Sequence, residues 1–357
     1  MILIFFTALV IISANLLLIF FLIKEDKKCE SNDNYLCFSI IIAARNEIKN
    51  LPGLLDSLCR LDYTEKKYEI IISDDNSDDG SLEWLTAQTK YRNNIKAVSA
   101  KEKTLPGKKG ALEIGVTNAK FENILITDAD CRPEPDWLSA FNRKFSEGFD
   151  LVFSAAPFFS QNSFVNKIAR FENLRSIILT FALCNANLPY SAAARSFGYT
   201  KSLYNNINGY KNTTDTLSGD DDLFIREAVK AGARIGCFAE KGSMVFSETK
   251  STFKDYFNQK ARHTSTSNYY LLKHKIILGS WHLLNLSSFI FLCAALFYPF
   301  ALAVPAVKFF ADILLCSAIQ KKFSYNFKFP DILGFQIIYE LNLITNYIFS
   351  FLKKKSW

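Results

Sequence analysis

Several combinations of residues that would announce a common chemistry are missing from this 357-residue chain. Its eight cysteines, at positions 29, 37, 59, 131, 184, 237, 293 and 316, never fall at C-x-x-C spacing, and His263, His274 and His282 complete no zinc pattern. That argues against a disulfide framework or a structural metal and for free thiols. There is no G-x-x-x-x-G-K-[ST] loop and no G-x-G-x-x-G turn, so neither familiar nucleotide loop is present. Internal repeats and long single-sign charge tracts are also lacking. The net charge of +7 calls for no nucleic-acid partner, because lysines flanking apolar segments supply a good share of it and no basic-aromatic array stands out.

Apolar runs, by contrast, are abundant, with 49% hydrophobic residues and 33 Phe. Residues 2–23 (ILIFFTALVIISANLLLIFFLI) carry no charge and are long enough to cross about 30 Å of hydrocarbon as a helix, which reads as a transmembrane anchor at 1–23. A cleaved signal peptide would have a shorter apolar core, a basic region before it and an A-x-A site after it. Lys24, Lys27 and Lys28 follow, and the positive-inside bias then places the next domain in the cytoplasm. Apolar character returns over 276–352, enough for two to three further transmembrane or interfacial helices. Lys308, Asp312, Asp331 and Glu340 interrupt it, so 305–320 or 331–352 can span or lie in the interface.

Between these regions, over 34–265, the pattern changes to short β-rich runs (CFSIIIA, YEIIIS, NIKAVS, ENILIT, DLVFSA) alternating with helical periodicity. The fold class is α/β with a mostly parallel sheet. Asn46 is positioned to cap a helix carrying Leu51, Leu54, Leu55 and Leu58, and Pro106-Gly107 precedes a second helix. In open sheets of this kind, ligands sit beyond the carboxyl ends of the strands, so the residues just after each run matter most.

Acid gathers there. After YEIII comes Ser73-Asp74-Asp75-Asn76-Ser77-Asp78-Asp79-Gly80, and after ENILI comes Thr127-Asp128-Ala129-Asp130. Asp, Asn and Gly favour turns and caps, which accounts for the first cluster without any ligand. The second is harder to dismiss. Two alternating carboxylates converge only if the chain bends, and a hard divalent ion such as Mg²⁺ or Mn²⁺, held with substrate phosphates, rewards that bend. A third group, Gly219-Asp220-Asp221-Asp222, opens the helical run LFIREAVKAG. Acid at a helix start also suits the dipole, but an Asp placed there can take a proton from an attacking hydroxyl. Gly107-Lys108-Lys109-Gly110 adds positive charge at an open helix start, suited to phosphate.

In order, SIIIAARNE (39–47), EIIISDDNSDDGS (69–81), GKKGAL (107–112), ITDADCRPEPDWL (126–138), SGDDDL (218–223) and QKARH (259–263) resemble the membrane-bound family 2 glycosyltransferases, over about residues 37–265. The resemblance implies a GT-A fold and a nucleotide-diphosphate-sugar donor, UDP by default. It places Ala43, Glu47 and Asp75 in the nucleotide pocket. Asp128 and Asp130 match the D-x-D that clamps the diphosphate through Mg²⁺ or Mn²⁺, and Lys108 matches a GK-x-x-AL motif near the donor. The catalytic base of the family is the Asp of an E-D pair. Gly219-Asp220-Asp221 aligns Asp221 with it, which is the favoured assignment, while counting to Leu223 and Arg226 aligns Asp220 as the alternative.

QKARH departs from the Q-x-x-R-W of processive synthases. Gln259 and Arg262 are kept, and His263 replaces the Trp that would stack on the acceptor sugar, which puts long processive synthesis in doubt. The implied activity is inverting, metal-dependent transfer to a lipid-linked or glycan acceptor by a multi-pass membrane protein with its catalytic domain cytoplasmic. Residues 164–184 read either as an interfacial helix near that acceptor or as core packing. Two readings of other classes remain open here: a metal-dependent nucleotidyltransferase, which would release pyrophosphate, and a non-catalytic membrane partner of a glycan synthase.

Overall fold

The computed structural model describes residues 1–23, 35–90 and 92–352, so Lys24, Lys27, Lys28, Cys29 and the lysines at 353–355 lie outside the described residues. The seven described cysteines form no disulfide with one another. The chain separates into two compact units interleaved in sequence. Their described parts are 35–159 with 189–248, and 1–23 with 160–188 and 249–352. Helices run in chain order as α1 (Ile2–Ile23), α2 (Leu51–Cys59), α3 (Ser81–Thr89), α4 (Gly107–Thr117), α5 (Trp137–Ser146) and α6 (Phe164–Asn185). They continue as α7 (Lys201–Asn206), α8 (Asp222–Lys230), α9 (Phe253–Thr266), α10 (Leu272–Ala294), α11 (Ala303–Ile319) and α12 (Phe329–Leu352).

The first unit is built on a seven-stranded sheet. The five apolar runs become β1 (Phe38–Ala44), β2 (Tyr68–Asp74), β3 (Ile95–Ser99), β4 (Asn123–Asp128) and, after the short β5 (Cys131–Pro133), β6 (Leu151–Ser154). Three further strands, β7 (Phe197–Thr200), β8 (Ile235–Phe238) and β9 (Val245–Ser247), are too short to show a period in sequence. The order is β3-β2-β1-β4-β7-β6-β8, parallel at every pairing except those of β7, and β5 pairs with β9 separately. The runs FSIIIAA and NILIT do not alternate in polarity because helices cover both faces of a parallel sheet. Trp137 and Phe141 of α5 fill one of these layers against Phe38, Leu125 and Val152.

In the second unit, α6 packs against α1, α9, α11 and α12. Most of its length is buried there, which is the packing reading of 164–184. Among the described residues, three helices are long and apolar enough to cross a membrane: Ile2–Ile23, Leu272–Ala294 and Pro299–Phe323, the last containing α11. Charges inside this unit are paired. Asp312 of α11 meets Arg175 of α6 at 3.2 Å and Lys308 at 3.0 Å, and Lys308 meets Glu340 of α12 at 2.6 Å. Gln336 donates to Glu340 at 2.8 Å. Each of these ions is at most 3% exposed, so two cations and two anions cancel where an unmatched charge would be prohibitive.

Candidate active site at the switch point of the sheet

The strand order reverses between β1 and β4: from β1 the chain winds outward through β2 and β3, then returns to β4 on the other side. In a parallel sheet that reversal opens a crevice at the carboxyl ends of the two strands. Ala43 near the end of β1 lies in register with Asp128 at the end of β4, and Ala44 with Asp74 of β2. The two acidic runs are thereby brought to one edge.

Within the first run the carboxylates divide by role. Asp74 accepts the Ser77 amide at 3.1 Å, and Asp79 accepts the amides of Ile48 at 3.1 Å and Ser81 at 3.0 Å. These bonds make Asp74 and Asp79 turn-formers, as their residue type favours. Asn46 does not cap α2. It adopts a left-handed φ of 58° and accepts the Asp78 amide at 2.9 Å, while Asn50 occupies the cap. Glu47 ties the same turn, its amide donating to Ser81 Oγ at 3.0 Å and its carboxylate accepting from Asn50 at 2.7 Å. Asp75 stands apart. It is 3% exposed, with Oδ1 on the Lys103 ammonium and Oδ2 buried without a hydrogen-bond partner. A buried carboxylate oxygen left open is a standing acceptor for a ligand donor.

The second run meets the helix start predicted at Pro106-Gly107. Gly107 takes a left-handed φ of 61°, and a Cβ on Gly110 would collide with the Leu105 carbonyl, so these glycines let the loop fold tightly into α4. Lys108, in the first turn, then reaches Asp128 Oδ1 and Asp220 Oδ2, each at 2.6 Å. Burial would lower the Lys108 pKa, but the two carboxylates outweigh it and hold the ammonium charged. Asp130 lies with Asp128 and Cys131 in a group whose ligand atoms are within 4.8 Å of one another. Two carboxylates of this spacing fit a hard divalent ion, and Cys131, buried and with its pKa pushed well up by that burial, is a neutral thiol beside them.

Asp220 and Asp221 differ sharply. Burial pushes the Asp220 pKa up, yet Lys108, as charge and as donor, brings it below the ordinary carboxylate value. Asp221 caps α8: its oxygens accept the amides of Asp222 at 2.7 Å and Ala194 at 2.8 Å. Burial, with Asp222 and Asp220 adding like charge, holds its pKa well above the ordinary value. Asp222 accepts from Ser191 at 2.6 Å.

The sheet unit thus gathers Ala43, Glu47, Asp75, Lys108, Asp128, Asp130, Asp220 and Asp221 at strand ends and helix starts. Gln259, Arg262 and His263 belong to the helical unit, on α9, with Gln259 and Arg262 half-buried one turn apart and His263 exposed. Lys260 of the same helix pairs with Glu172 of α6 at 3.1 Å, and Tyr256 donates to that carboxylate as well. Sequence reasoning missed two cations of the sheet unit. Lys103 sits in an aperiodic loop, where nothing marks it. Lys109 was visible only as the second Lys of GKKG.

Residues 39–205 match the family model described as Glycosyl transferase family 2. Among curated relatives, a beta-monoglucosyldiacylglycerol synthase of Trichormus variabilis is 34% identical over 100 residues, 28% of this chain and 21% of that protein. An undecaprenyl-phosphate 4-deoxy-4-formamido-L-arabinose transferase of Aeromonas hydrophila is 28% identical over 123 residues, 34% of this chain and 37% of that protein. The matches therefore span only 21% and 37% of those relatives' length. Among solved structures, a mannosyltransferase from Pyrobaculum calidifontis, in complex with GDP-Man and Mn²⁺, superposes with a TM-score of 0.59 at 17% identity, covering 96% of this chain and 98% of that one. At that identity the likeness is one of fold.

Proposed function

We propose, from the match of residues 39–205 to the Glycosyl transferase family 2 model and the GT-A-like fold, that the chain moves a sugar from a nucleotide-diphosphate sugar to a lipid-linked or glycan acceptor at a membrane, with inversion. The observation that carries this reading is the Lys108 ammonium held between Asp128 and Asp220 at the switch point of the sheet, whose same edge carries the open oxygen of Asp75.

Each residue has work to do in such a transfer. Asp75 accepts a hydrogen bond from the base or ribose, with Ala43 and Glu47 shaping that end of the pocket. Asp130 and Asp128 would hold Mg²⁺ or Mn²⁺, which when bound neutralises charge on the donor diphosphate. Lys108 exchanges its carboxylate partners for the diphosphate, and the exchange frees Asp220. The acceptor hydroxyl gives its proton to Asp220 as its oxygen bonds to the anomeric carbon. The bond from that carbon to the diphosphate oxygen breaks, and the nucleoside diphosphate leaves with the electron pair. A single displacement inverts the centre. Asp220 fits the base better than Asp221, whose two oxygens are engaged by main-chain amides of the α8 cap. The resemblance gives Arg262 of α9, with its planar fork, a role toward the diphosphate and His263 one toward the acceptor.

Three membrane-length helices among the described residues and lipid-acting relatives support a multi-pass protein with a lipid-borne acceptor, and Lys24, Lys27 and Lys28 after the first apolar segment assign the sheet unit to the cytoplasm by the positive-inside bias. Purified protein in lipid, incubated with a panel of sugar nucleotides and lipid acceptors, tests the reading. Release of nucleoside diphosphate from one donor is expected. Release of pyrophosphate from a nucleoside triphosphate and a sugar phosphate would make it a nucleotidyltransferase, and no turnover with any donor would leave only a partner role.

A further inference from the structure

Lys109 is fully buried, one residue beyond the lysine that bridges Asp128 and Asp220. Its ammonium donates to the main-chain carbonyls of Thr213, Thr216 at 2.9 Å and Ser218 at 2.9 Å. An ammonium has three protons, and each finds an acceptor here. All three acceptors lie on one short loop. That loop ends at Gly219, whose φ of 77° turns the chain sharply, and the next residue is Asp220. Lys108 and Lys109 thus hold the same acid from two directions, one gripping its carboxylate and the other the backbone that leads to it. The burial is costly, since it drives the Lys109 pKa down to about 8 against the pull of Asp220, Asp221 and Asp215. A loop that needed only ordinary tethering could be held by a neutral side chain at lower cost.

We propose that Lys109 is a positioning residue which, by gathering the carbonyls of Thr213, Thr216 and Ser218, sets Asp220 against Asp128 and so fixes the distance between the base and the donor. The inference rests on Asp220 as the base of the proposed transfer. The resemblance assigns nothing to this position, which is a free one in GK-x-x-AL. Replacing the ammonium by an apolar group strands three buried carbonyls, and the loop must move to hydrate them. A displacement of about 1 Å at a reacting group is enough to cost on the order of 10²-fold in rate.

The test uses the full chain in lipid with four substitutions: Lys109→Met, Lys109→Arg, Asp220→Asn and the double Lys109→Met/Asp220→Asn. Lys109→Met is expected to lower kcat about 10²-fold while the Kd for uridine diphosphate with Mn²⁺ stays within about twofold, because the nucleotide pocket at Asp75 is untouched. Amide exchange at 213–219 should accelerate in it. Added to Asp220→Asn, the same substitution should lower the residual rate by less than about twofold, since the group it positions is already gone. Lys109→Arg keeps charge and donors, so it guards against misfolding and should retain more kcat than the Met variant at the same Kd. Wild-type kcat in Lys109→Met, or an equal fold-loss in the presence and absence of the Asp220 carboxylate, overturns the inference. Full turnover in Asp220→Asn would instead sink the base assignment, and the exchange measurement would still report on the loop.

Discussion

Asp220 meets the Lys108 ammonium, whereas Asp221 spends both oxygens on the start of α8, and the two should respond differently to the same substitution. Asp220→Asn is expected to lower kcat by roughly 10² to 10⁴, the usual cost of a lost general base, with donor affinity little changed. Asp221→Asn should act mainly on stability, lowering Tm through a weakened cap. An exchange of these phenotypes would return the base to Asp221. The acid side of the pH profile separates the two as well. A base must be ionised, and kcat/KM reads the free enzyme, so a base at Asp220 puts the acid limb below the ordinary carboxylate pKa. A base at Asp221 would put it well above. The stability sign for Asp220 agrees: its depressed pKa contributes stability above the unfolded value, lost as pH falls through the folded one. For the metal pair, Asp130→Asn should abolish transfer and weaken donor binding, and excess EDTA should do the same to wild type. Undiminished turnover in EDTA would remove the divalent ion from the mechanism.

At the scale of elements, α9 and α11 make separate claims. Gln259 and Arg262 share α9 with Lys260, which Glu172 anchors to α6. If Arg262 serves the diphosphate, Arg262→Lys cripples catalysis and leaves membrane association intact, because a point charge replaces a planar fork poorly. If α9 only binds anionic lipid, that variant is nearly silent. His263→Trp should change product length or acceptor choice, and identical products would remove His263 from the acceptor side. In α11, Asp312 balances Arg175 and Lys308. Asp312→Asn leaves a buried guanidinium without a counter-ion and is expected to destabilise the helical unit by about 3–5 kcal/mol, read as a lower Tm in detergent.

For the whole molecule, one compact unit holds, among the described residues, three helices of membrane-spanning length, and the other holds the sheet that carries the acidic site. The assignment of the sheet unit to the cytoplasm can be measured at Cys59, an exposed thiol of that unit. In a variant keeping only this cysteine, a membrane-impermeant maleimide applied to intact cells should leave Cys59 unlabelled until the membrane is permeabilised. Labelling of intact cells would reverse the orientation.

The runs CFSIIIA, YEIIIS, NIKAVS and ENILIT already specified four parallel strands, because buried β-rich segments bounded by turn residues have few other uses. The placement of Asp75, Asp128 and Asp130 at strand ends was legible for a related reason: each follows an apolar run, and the end of a strand in such a sheet is where ligands sit. Asp74 and Asp79 look the same in sequence, and only the amides they accept mark them as turn-formers. The different surroundings of Asp220 and Asp221 likewise needed three dimensions, since a one-residue shift changes nothing in composition yet sends one carboxylate to Lys108 and the other to a helix cap. Lys109 could be read only as a phosphate-side charge, not as the buried group it is. Its partners are main-chain carbonyls more than a hundred residues away, and a carbonyl carries no side-chain signature, so tertiary folding alone decided that this lysine would be buried beside the acid it serves.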